Sequence, residues 1–385
     1  MKKIWRKVKI GDVCTVERGG SPRPIEQYIT DAEDGINWIK IGDTTDSMYI
    51  TSTAQKIIPD GKRKSRYVQP GDFLLSNSMS FGRPYILKID GCIHDGWLVL
   101  RDKDSLFDKK FLYYYLSAPA TYQKFKLLAV GGVVNNLNSD MVRKIEIPLP
   151  ALEEQYEISM VLDKVSELII LRRKQLEQLD LLVKSRFIEM FGDPSVEVCW
   201  NTVKLSELGE LNRGVSKHRP RNAPELLNGK YPLIQTGDVS RAELYIINYQ
   251  STYSELGLAQ SRLWKKGTLC ITIAANIAQT AILAFDACFP DSVVGFISGT
   301  KTNVFFMHYW FSFFQKVLEE QAPQVAQKNI NLKILGELKV IVPPLDLQNQ
   351  FAEFVQEVDK SKLAVKQSLE KLELLKKALM QQYFE

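Results

Sequence analysis

The sequence has few of the residues that build metal centres and disulfide frameworks. Its three histidines, His94, His218 and His308, are far apart in the chain. Its five cysteines include no pair with the Cys-x-x-Cys spacing. Zinc sites use closely spaced cysteine and histidine, and disulfide frameworks use an even number of cysteines. The composition therefore disfavours the usual zinc enzymes and small secreted scaffolds.

Long apolar segments are also missing. The most apolar stretch, residues 269–289, includes threonine, asparagine, glutamine and aspartate side chains. A helix in lipid would bury these groups at a cost of several kcal/mol. The N-terminal segment is basic, but no apolar run follows it, so the sequence predicts no signal peptide. We expect a soluble protein located in the cytoplasm.

Common signatures of catalysis are absent too. The Gly-Lys pairs at 61–62 and 229–230 are followed by arginine and tyrosine, so neither ends a P-loop. The sequence contains no dinucleotide-binding glycine fingerprint, no Asn/Asp-Pro-Pro-aromatic tetrapeptide of amino-methyltransferases, and no metalloprotease or serine-hydrolase motif. These absences favour binding over catalysis.

The sequence does contain an internal duplication. Residues recur in the same order at a separation of 195, which later varies between 193 and 196. The recurring pairs include Trp5 and Trp200, Arg18 and Arg213, Gly42 and Gly237, Asp43 and Asp238, Asp95 and Asp291, Asn138 and Asn331, Leu152 and Leu347, and Gln155 and Gln350. A repeat of this length indicates a duplicated domain rather than a solenoid unit. We therefore expect two similar binding sites.

Each copy has the pattern of an α+β domain. Short β-branched or aromatic runs between glycine, aspartate and proline predict strands, and one helical segment interrupts them. A proline-containing strand closes each copy, at 145–150 and 339–345, because a helix cannot continue through proline. The predicted domains are residues 1–150 and 193–344.

Long helices are predicted behind both closing strands. The hydrophobic period changes there from 2 to about 3.5, which predicts coiled-coil helices over 151–192 and 345–385. The first helix leads from one domain to the other, and the second has only the first to pack against. The predicted fold is α+β, with two similar domains separated by an antiparallel pair of long coiled-coil helices in a pseudo-twofold arrangement.

Three segments resemble the specificity subunit of type I restriction–modification systems. They are RGGSPRP at 18–24, NNLNSDMVRKIEIPLPALEEQ at 135–155 and SRFIEMFGDP at 185–194. The second copy departs from this pattern, because Gln348 and Asn349 are aligned with Glu153 and Glu154. The resemblance implies that both domains are target-recognition domains. Each would read one half of a split DNA target, and the helices would set the spacer.

The resemblance also implies partners. Two modification (methyltransferase) subunits would dock on the helices, and restriction subunits would supply motor and nuclease activity. S-adenosylmethionine, ATP and Mg²⁺ would belong to those partners, so this chain would be a non-catalytic subunit without its own cofactor. A net charge of +5 is compatible with binding double-stranded DNA. A non-enzymatic adaptor that uses the coiled coil for protein–protein binding is the alternative.

Basic loop residues are the first candidates for DNA contacts, because lysine and arginine neutralise phosphates. These candidates and a neighbouring serine are Arg18, Ser21, Arg23, Lys62, Arg63, Lys64 and Arg66 in the first copy, and Arg213, Lys217, Arg219 and Arg221 in the second. A solvated surface is the alternative for any single side chain. Because Arg18 and Arg213 occupy equivalent positions, fixing a shared loop is the alternative for that pair.

Base reading requires polar side chains at groove edges. Candidates follow equivalent strands and the two Gly-Asp pairs. They are Asn77, Ser78, Ser80, Arg83, Asn276 and Gln279, together with Thr44, Thr45, Ser240 and Arg241. The loops at 77–84 and 274–281 differ between the copies, which is expected if the half-sites differ.

Charged residues on or beside the helical seams are the candidates for partner binding. They are Glu153, Glu154, Arg172, Arg186, Lys362 and Lys376. Aromatic residues near 113–115 and 305–310 have helical spacing in both copies, so we interpret them as packing residues rather than base-stacking ones. The duplicated asparagines at 136, 138, 329 and 331 are predicted to cap turns before the closing strands.

Overall fold

The protein forms two compact units. The computed structural model describes residues 5–77, 81–129, 136–193, 200–273, 277–321 and 331–384. Unit 1 comprises residues 1–173 and 368–385, and unit 2 comprises residues 174–367. The division runs through both long helices, so each unit contains one α+β domain and a part of each helix. Among the described residues, no helix has the length and apolar character needed to cross a membrane.

The first copy contains twelve of the described strands and leads into the first long helix. The strands are β1 (Lys7–Lys9), β2 (Cys14–Arg18), β3 (Ile29–Thr30), β4 (Ile36–Ile39), β5 (Tyr49–Ile50), β6 (Lys56–Ile57), β7 (Arg66–Val68), β8 (Phe73–Ser76), β9 (Pro84–Leu87), β10 (Gly91–Ile93), β11 (Trp97–Asp102) and β12 (Glu146–Pro148). The helices are α1 (Ile10–Val13), α2 (Lys109–Ser117), α3 (Pro119–Ala129), α4 (Ser139–Arg143) and α5 (Leu152–Phe191).

The second copy follows a similar order and contains eleven of the described strands. Its strands are β13 (Thr202–Lys204), β14 (Gly209–Arg213), β15 (Leu227–Leu233), β16 (Tyr245–Ile246), β17 (Ser251–Tyr253), β18 (Leu263–Trp264), β19 (Leu269–Thr272), β20 (Thr280–Leu283), β21 (Ala287–Cys288), β22 (Val293–Ser298) and β23 (Lys339–Ile341). Its helices are α6 (Thr236–Arg241), α7 (Glu255–Ala259), α8 (Val304–Gln321), α9 (Leu332–Gly336) and α10 (Leu345–Phe384).

The sheets confirm the duplication. In unit 1 the main sheet has the order β2-β11-β8-β9-β5, and in unit 2 the order is β14-β22-β19-β20-β16. The register is repeated as well, because Phe73 pairs with Ile86 and Leu269 pairs with Ile282. Each unit also contains a second sheet, which has the order β3-β6-β4-β10-β7 in unit 1 and β17-β15-β21-β18 in unit 2. The closing strands pair with the first strand of each copy, as β1-β12 and β13-β23.

Both long helices contribute to the core of each unit. In unit 1, Leu162 of α5 and Met380 of α10 are buried in one cluster with the aromatic residues of α2. In unit 2, Phe187 of α5 and Phe351 of α10 are buried against α8, and the Phe187 and Phe306 rings are stacked with centroids 5.6 Å apart. The aromatic runs therefore pack, as their spacing indicates.

The helices pair in opposite directions within each unit. In unit 2, Asp180 forms an ion pair with Lys362, whereas Arg186, further along α5, lies over Phe354, which is earlier in α10. In unit 1, the Arg172 Nε atom donates to Ser368 Oγ at 3.2 Å, while Leu162 shares its cluster with Met380. The antiparallel pairing predicted from chain topology is confirmed.

Buried glutamines at the starts of the long helices correct the sequence alignment. Gln155 and Gln348 are both fully buried. Gln155 accepts from the Asp108 amide and donates to the Leu106 and Pro150 carbonyls. Gln348 makes the same set of bonds, with the amide of 303 and the carbonyls of 301 and 343.

Gln348 is therefore the residue of the second copy that is equivalent to Gln155. The sequence alignment that matched Gln155 with Gln350, at a separation of 195, was wrong. The helices begin at Leu152 and Leu345, a separation of 193, which also holds for the capping asparagines. Asn138 accepts from the Met141 amide, and Asn331 makes the equivalent bond, which confirms both caps. Asn329 lies outside the described residues.

Candidate nucleic-acid interface

An aspartate anchors the basic loop that follows β2. The Arg18 Nε atom donates to the Asp95 carbonyl at 2.9 Å, and Ser21 Oγ donates to Asp95 Oδ1 at 2.8 Å. Arg23 forms a 3.5 Å ion pair with the same carboxylate. Partial burial opposes the charge on Asp95, but hydrogen bonds from Ser21 and from its own amide, with the nearby cations, lower its pKa. The ionised carboxylate holds this loop against the sheet.

The second copy has the same anchor. The Arg213 Nε atom donates to the Asp291 carbonyl at 2.9 Å, as Arg18 does to Asp95. The Asp291 carboxylate pairs with Arg221 at 2.5 Å and with Arg219 at 3.8 Å. Arg18 and Arg213 thus fix a shared loop. Arg23, Arg219 and Arg221 extend from it, with more than two-fifths of each side chain exposed.

Sequence reasoning did not assign these two aspartates a role. Asp95 and Asp291 were visible only as one repeated pair among many, since a lone aspartate after a strand is usually a turn residue. Their repetition together with Arg18 and Arg213 was the signal that could have linked them. The residues lie more than seventy positions apart, so only the sheet brings them together.

A second basic cluster lies beside the anchored loop of unit 1. Lys62, Arg63 and Lys64 end a short 3-10 helix, and the Arg66 Nε atom donates to the Arg18 carbonyl at 3.5 Å. Lys62 lies over the Tyr67 ring, Lys64 donates to Tyr28, and Arg66 pairs with Glu17. Arg63 is exposed and makes no ion pair among the described residues. The two predicted basic clusters of the first copy therefore form one surface.

The candidates after the Gly-Asp pairs are largely engaged in local bonds. Thr44 Oγ1 donates to the Ile41 carbonyl at 2.8 Å, and Thr45 accepts from the Ser47 amide. Ser240 donates to the Thr236 carbonyl. Arg241 pairs at 2.5 Å with Asp238, which also accepts from the Gln235 amide and so caps α6. These contacts shape the turns in both copies.

The candidates after the equivalent strands β8 and β19 are placed differently from one another. Asn77 is buried, and its side-chain amide donates to the Asp95 carbonyl at 2.9 Å, so it supports the anchor. Arg83 is exposed, and Gln279 is half-buried at the equivalent position. Ser78, Ser80 and Asn276 lie outside the described residues.

Most of the charged partner-binding candidates contact their own chain. Arg172 bonds to Ser368, Lys362 is buried against Asp180, and Lys376 lies 5.8 Å from the centre of the Tyr114 ring. Burial lowers the pKa of Lys376, and nearby Arg173 acts in the same direction. Arg186 pairs with Glu189, Glu154 accepts from Trp5, and Glu153 is exposed.

The exposed surface of the long helices carries apolar side chains that sequence reasoning missed. In unit 1 they include Tyr156, Met160, Ile170 and Leu171 of α5 and Leu374 of α10. In unit 2 they are Leu181, Leu182 and Ile188 of α5, and Leu345 and Leu363 of α10. Adjacent apolar residues in the sequence, such as 170–171 and 181–182, could have indicated this surface. The seam between two helices can bury only one residue of each such pair.

Within the described part of the chain, no group of histidine, cysteine and carboxylate side chains is arranged to hold a metal ion. The four described cysteines are buried, and burial raises the pKa of Cys14 to about 12 and that of Cys288 to about 11. These thiols are therefore packed core groups with no accessible thiolate at neutral pH.

Two similar domains with anchored basic loops, joined through a pair of long helices, define a tandem nucleic-acid specificity protein. The model of the type I restriction modification DNA specificity domain matches twice, at residues 2–181 and 197–374. The chain belongs to this family and is a non-catalytic specificity subunit of a type I restriction–modification system. The resemblance read from its segments is thereby confirmed.

Relatives with this role match along most of the chain. The MjaVIII specificity subunit of Methanocaldococcus jannaschii is 23% identical over 405 aligned positions, covering 98% of this chain and 91% of the relative. The EcoBI specificity subunit of Escherichia coli is 21% identical and covers 92% and 79%. The crystal structure of an S subunit from M. genitalium has a TM-score of 0.61 at 17% identity, covering 99% and 96%. That likeness shows the common fold.

Proposed function

We propose that this chain reads a split double-stranded DNA target, with residues 1–150 reading one half and residues 193–344 the other. The observation that carries the proposal is the duplicated anchor, in which Asp95 and Asp291 each hold an arginine-bearing loop at the surface of a domain. Arginines presented on a fixed loop suit phosphate contacts that set the register of a protein on DNA.

We further propose that the helices bind two modification subunits and that restriction subunits join the complex. Each unit exposes several large apolar side chains on α5 and α10, for example Met160 at 67% and Leu181 at 61%. Apolar groups that stay exposed on a soluble surface are typical of protein–protein contact sites. The presence of one such group of residues in each unit supports two partner copies rather than one.

The cofactors of the reaction belong to those partners in this proposal. S-adenosylmethionine would be bound by the modification subunits, and ATP and Mg²⁺ by the restriction subunits. This chain would supply no cofactor site and would work in the cytoplasm, where it meets the host DNA. Turnover of S-adenosylmethionine or ATP by the isolated chain would contradict this division of labour.

Exchange of one recognition domain tests the two-reader proposal. Residues 1–150 are replaced by the corresponding segment of another specificity subunit, and the host methylome is sequenced. We expect a split motif in which only one half changes. A change in both halves, or in neither, would show that the domains do not read independently.

A salt series separates DNA reading from the adaptor alternative. Phosphate contacts release counterions, so the affinity of a DNA reader falls steeply as salt rises. We expect filter binding by the full chain to weaken about 1,000-fold or more between roughly 50 and 200 mM salt if six or more phosphates are contacted. An adaptor would retain no DNA at any salt concentration.

A further inference from the structure

The loop after β8 and the loop after β19 are closed by the same set of hydrogen bonds. The Ser76 amide donates to the Arg83 carbonyl at 3.0 Å, and the Arg83 amide donates to Ser76 Oγ at 2.9 Å. Thr272 and Gln279 repeat this pattern, and the Gln279 amide donates to Thr272 Oγ1 at 3.1 Å. The Gly82 amide also donates to the Ser76 carbonyl, and the Ala278 amide donates to the Thr272 carbonyl. We call this arrangement the loop neck.

The necks impose the same backbone conformation on different residues. Gly82 has φ +78°, and Ala278, the equivalent residue, has φ +59°. This left-handed conformation is easy for glycine but costs free energy for alanine. Since Ala278 adopts it nevertheless, the hydrogen bonds of the neck determine the conformation. The next residue, 83 or 279, is therefore held at a fixed place in both domains.

Residues 83 and 279 line equivalent clefts. The cleft of unit 1 has a volume of about 400 Å³ and is lined by Thr45, Asp46, Arg83, Tyr113 and Ser117, among others. The cleft of unit 2 has a volume of about 320 Å³, and Ser240, Gln279, His308 and Ser312 occupy the positions that correspond to 45, 83, 113 and 117. Serine is kept at 117 and 312, whereas the side chains at 83 and 279 and at 113 and 308 differ. The cleft of unit 2 is also lined by helix residues, which are Asp180, Lys184, Asp359 and Lys362.

Arg83 is available to bind a ligand. Arg18, Arg23 and Arg66 of the same domain are held by carboxylate or carbonyl oxygens. Arg83 is exposed, and its guanidinium makes no ion pair within the described ranges of the chain. Asp46 lines the same cleft, and its carboxylate disfavours a phosphate there relative to the mixed donor and acceptor edge of a base pair.

Gln279 has an unsatisfied side chain at the equivalent position. Its side-chain amide makes no hydrogen bond to any described residue, and its buried oxygen lacks a partner among them. A buried amide oxygen without a partner costs free energy. Turning toward a base would therefore sacrifice no internal bond and would satisfy this group.

We infer that Arg83 and Gln279 are equivalent base-reading positions, and that Arg83 selects guanine in one half-site and Gln279 selects adenine in the other. Arginine donates two hydrogen bonds to the O6 and N7 acceptors of guanine, whereas glutamine pairs with the N6 donor and N7 acceptor of adenine. The inference rests on the proposed split-target function and assigns one base pair in each half to a named side chain.

Reciprocal substitutions in the full chain, assembled with its partner subunits in the host, test this assignment by methylome sequencing. Arg83→Gln should convert one G·C position to A·T, or relax its discrimination by about 5- to 150-fold, in one half of the motif only. Gln279→Arg should do the reverse in the other half. Arg83→Lys should retain guanine, since lysine reads the same acceptors.

Arg63→Gln is the matched control. It removes the same charge from an exposed arginine of the same domain that has no described ion-pair partner, so it should weaken binding and leave the motif unchanged. If Arg83→Gln or Gln279→Arg gives folded protein with an unaltered motif, the inference is overturned while the split-target function stands. If Arg63→Gln alters the motif as Arg83→Gln does, the inference is also overturned. A wild-type methylome without a split motif would instead overturn the proposed function.

Discussion

Unit 1 and unit 2 share a backbone frame but place different side chains at equivalent positions. Tyr113 of α2 corresponds to His308 of α8, and Ile169 of α5 corresponds to the buried Lys362 of α10. The groups that hold the frame are instead repeated, as the anchoring aspartates and the buried glutamines show. The repeated residues therefore maintain the fold, and the residues that differ give each unit its own chemistry.

The largest expected effect comes from removing a repeated frame residue. Gln155→Ala and Gln348→Ala each remove the hydrogen bonds to one buried carbonyl, one part-buried carbonyl and one part-buried amide at the start of a long helix. We expect each variant to lose about 3 kcal/mol of stability, because unsatisfied buried groups cost about 1–3 kcal/mol each. Hydrogen exchange should show the loss mainly in the unit that carries the substitution.

Gln350→Ala provides the control for that comparison. Gln350 is exposed, so we expect its substitution to change stability by less than about 0.5 kcal/mol. Equal effects of Gln348→Ala and Gln350→Ala would contradict the register in which Gln155 corresponds to Gln348. A large effect in one unit and none in the other would contradict the shared frame.

An intermediate effect is expected from His308, which has no histidine counterpart in unit 1. Burial lowers the pKa of His308 to about 4, and the charge of Lys362 acts in the same direction. In the unfolded chain histidine takes up a proton near pH 6.5, so acidification favours unfolding until the folded-state pKa is reached. We expect unit 2 to lose about 2 kcal/mol of stability between pH 7 and pH 5.

Hydrogen exchange at both pH values, corrected for intrinsic rates, measures this difference between the units. Protection of β20 and α8 should fall more at pH 5 than that of β9 and α2. Burial also lowers the pKa of His94 in unit 1, but the larger shift is that of His308 in unit 2. His308→Asn should remove the difference between the units. A pH response of β20 and α8 that persists unchanged in His308→Asn would show that His308 is not its cause.

The smallest expected effect distinguishes a repeated arginine from an unrepeated one. Arg63→Ala should reduce the salt slope of DNA binding by about one and leave the melting temperature unchanged, since Arg63 is exposed. Arg18→Ala should instead lower the melting temperature, because Arg18 bonds to the Asp95 carbonyl. Filter binding and thermal melting of the two variants measure these effects. A lower melting temperature for Arg63→Ala, or an unchanged one for Arg18→Ala, would contradict the assigned roles.

Local patterns predicted much of the fold. The change from a period of 2 to about 3.5 behind each closing strand predicted α5 and α10, and the asparagine caps followed from their repetition. The alignment of the two copies at the starts of the long helices was predicted wrongly. Gln348 and Gln350 are only two positions apart, so either can be aligned with Gln155. Only burial distinguishes them, and burial depends on the carbonyls of a loop almost fifty residues earlier.

The candidate site was less accessible to sequence reasoning. Basic residues could be selected by type, but Arg18 and Arg63 look alike in a sequence and have different contacts in the fold. Asn77 and Arg83 both follow β8, yet Asn77 is buried beneath the anchor and Arg83 is exposed. A side chain's availability depends on neighbours that are distant in the chain.

The tandem duplication, the two long helices and the motifs of a specificity subunit can all be recognised in the sequence, because repeats, periodicity and caps are local properties of the chain. Which polar groups form the frame, and which remain available for a ligand, depends on the folded structure. That distinction required the sheet to bring Asp95 to Arg18 and the necks to fix Arg83 and Gln279, since hydrogen bonds between residues far apart in sequence exist only after the chain has folded.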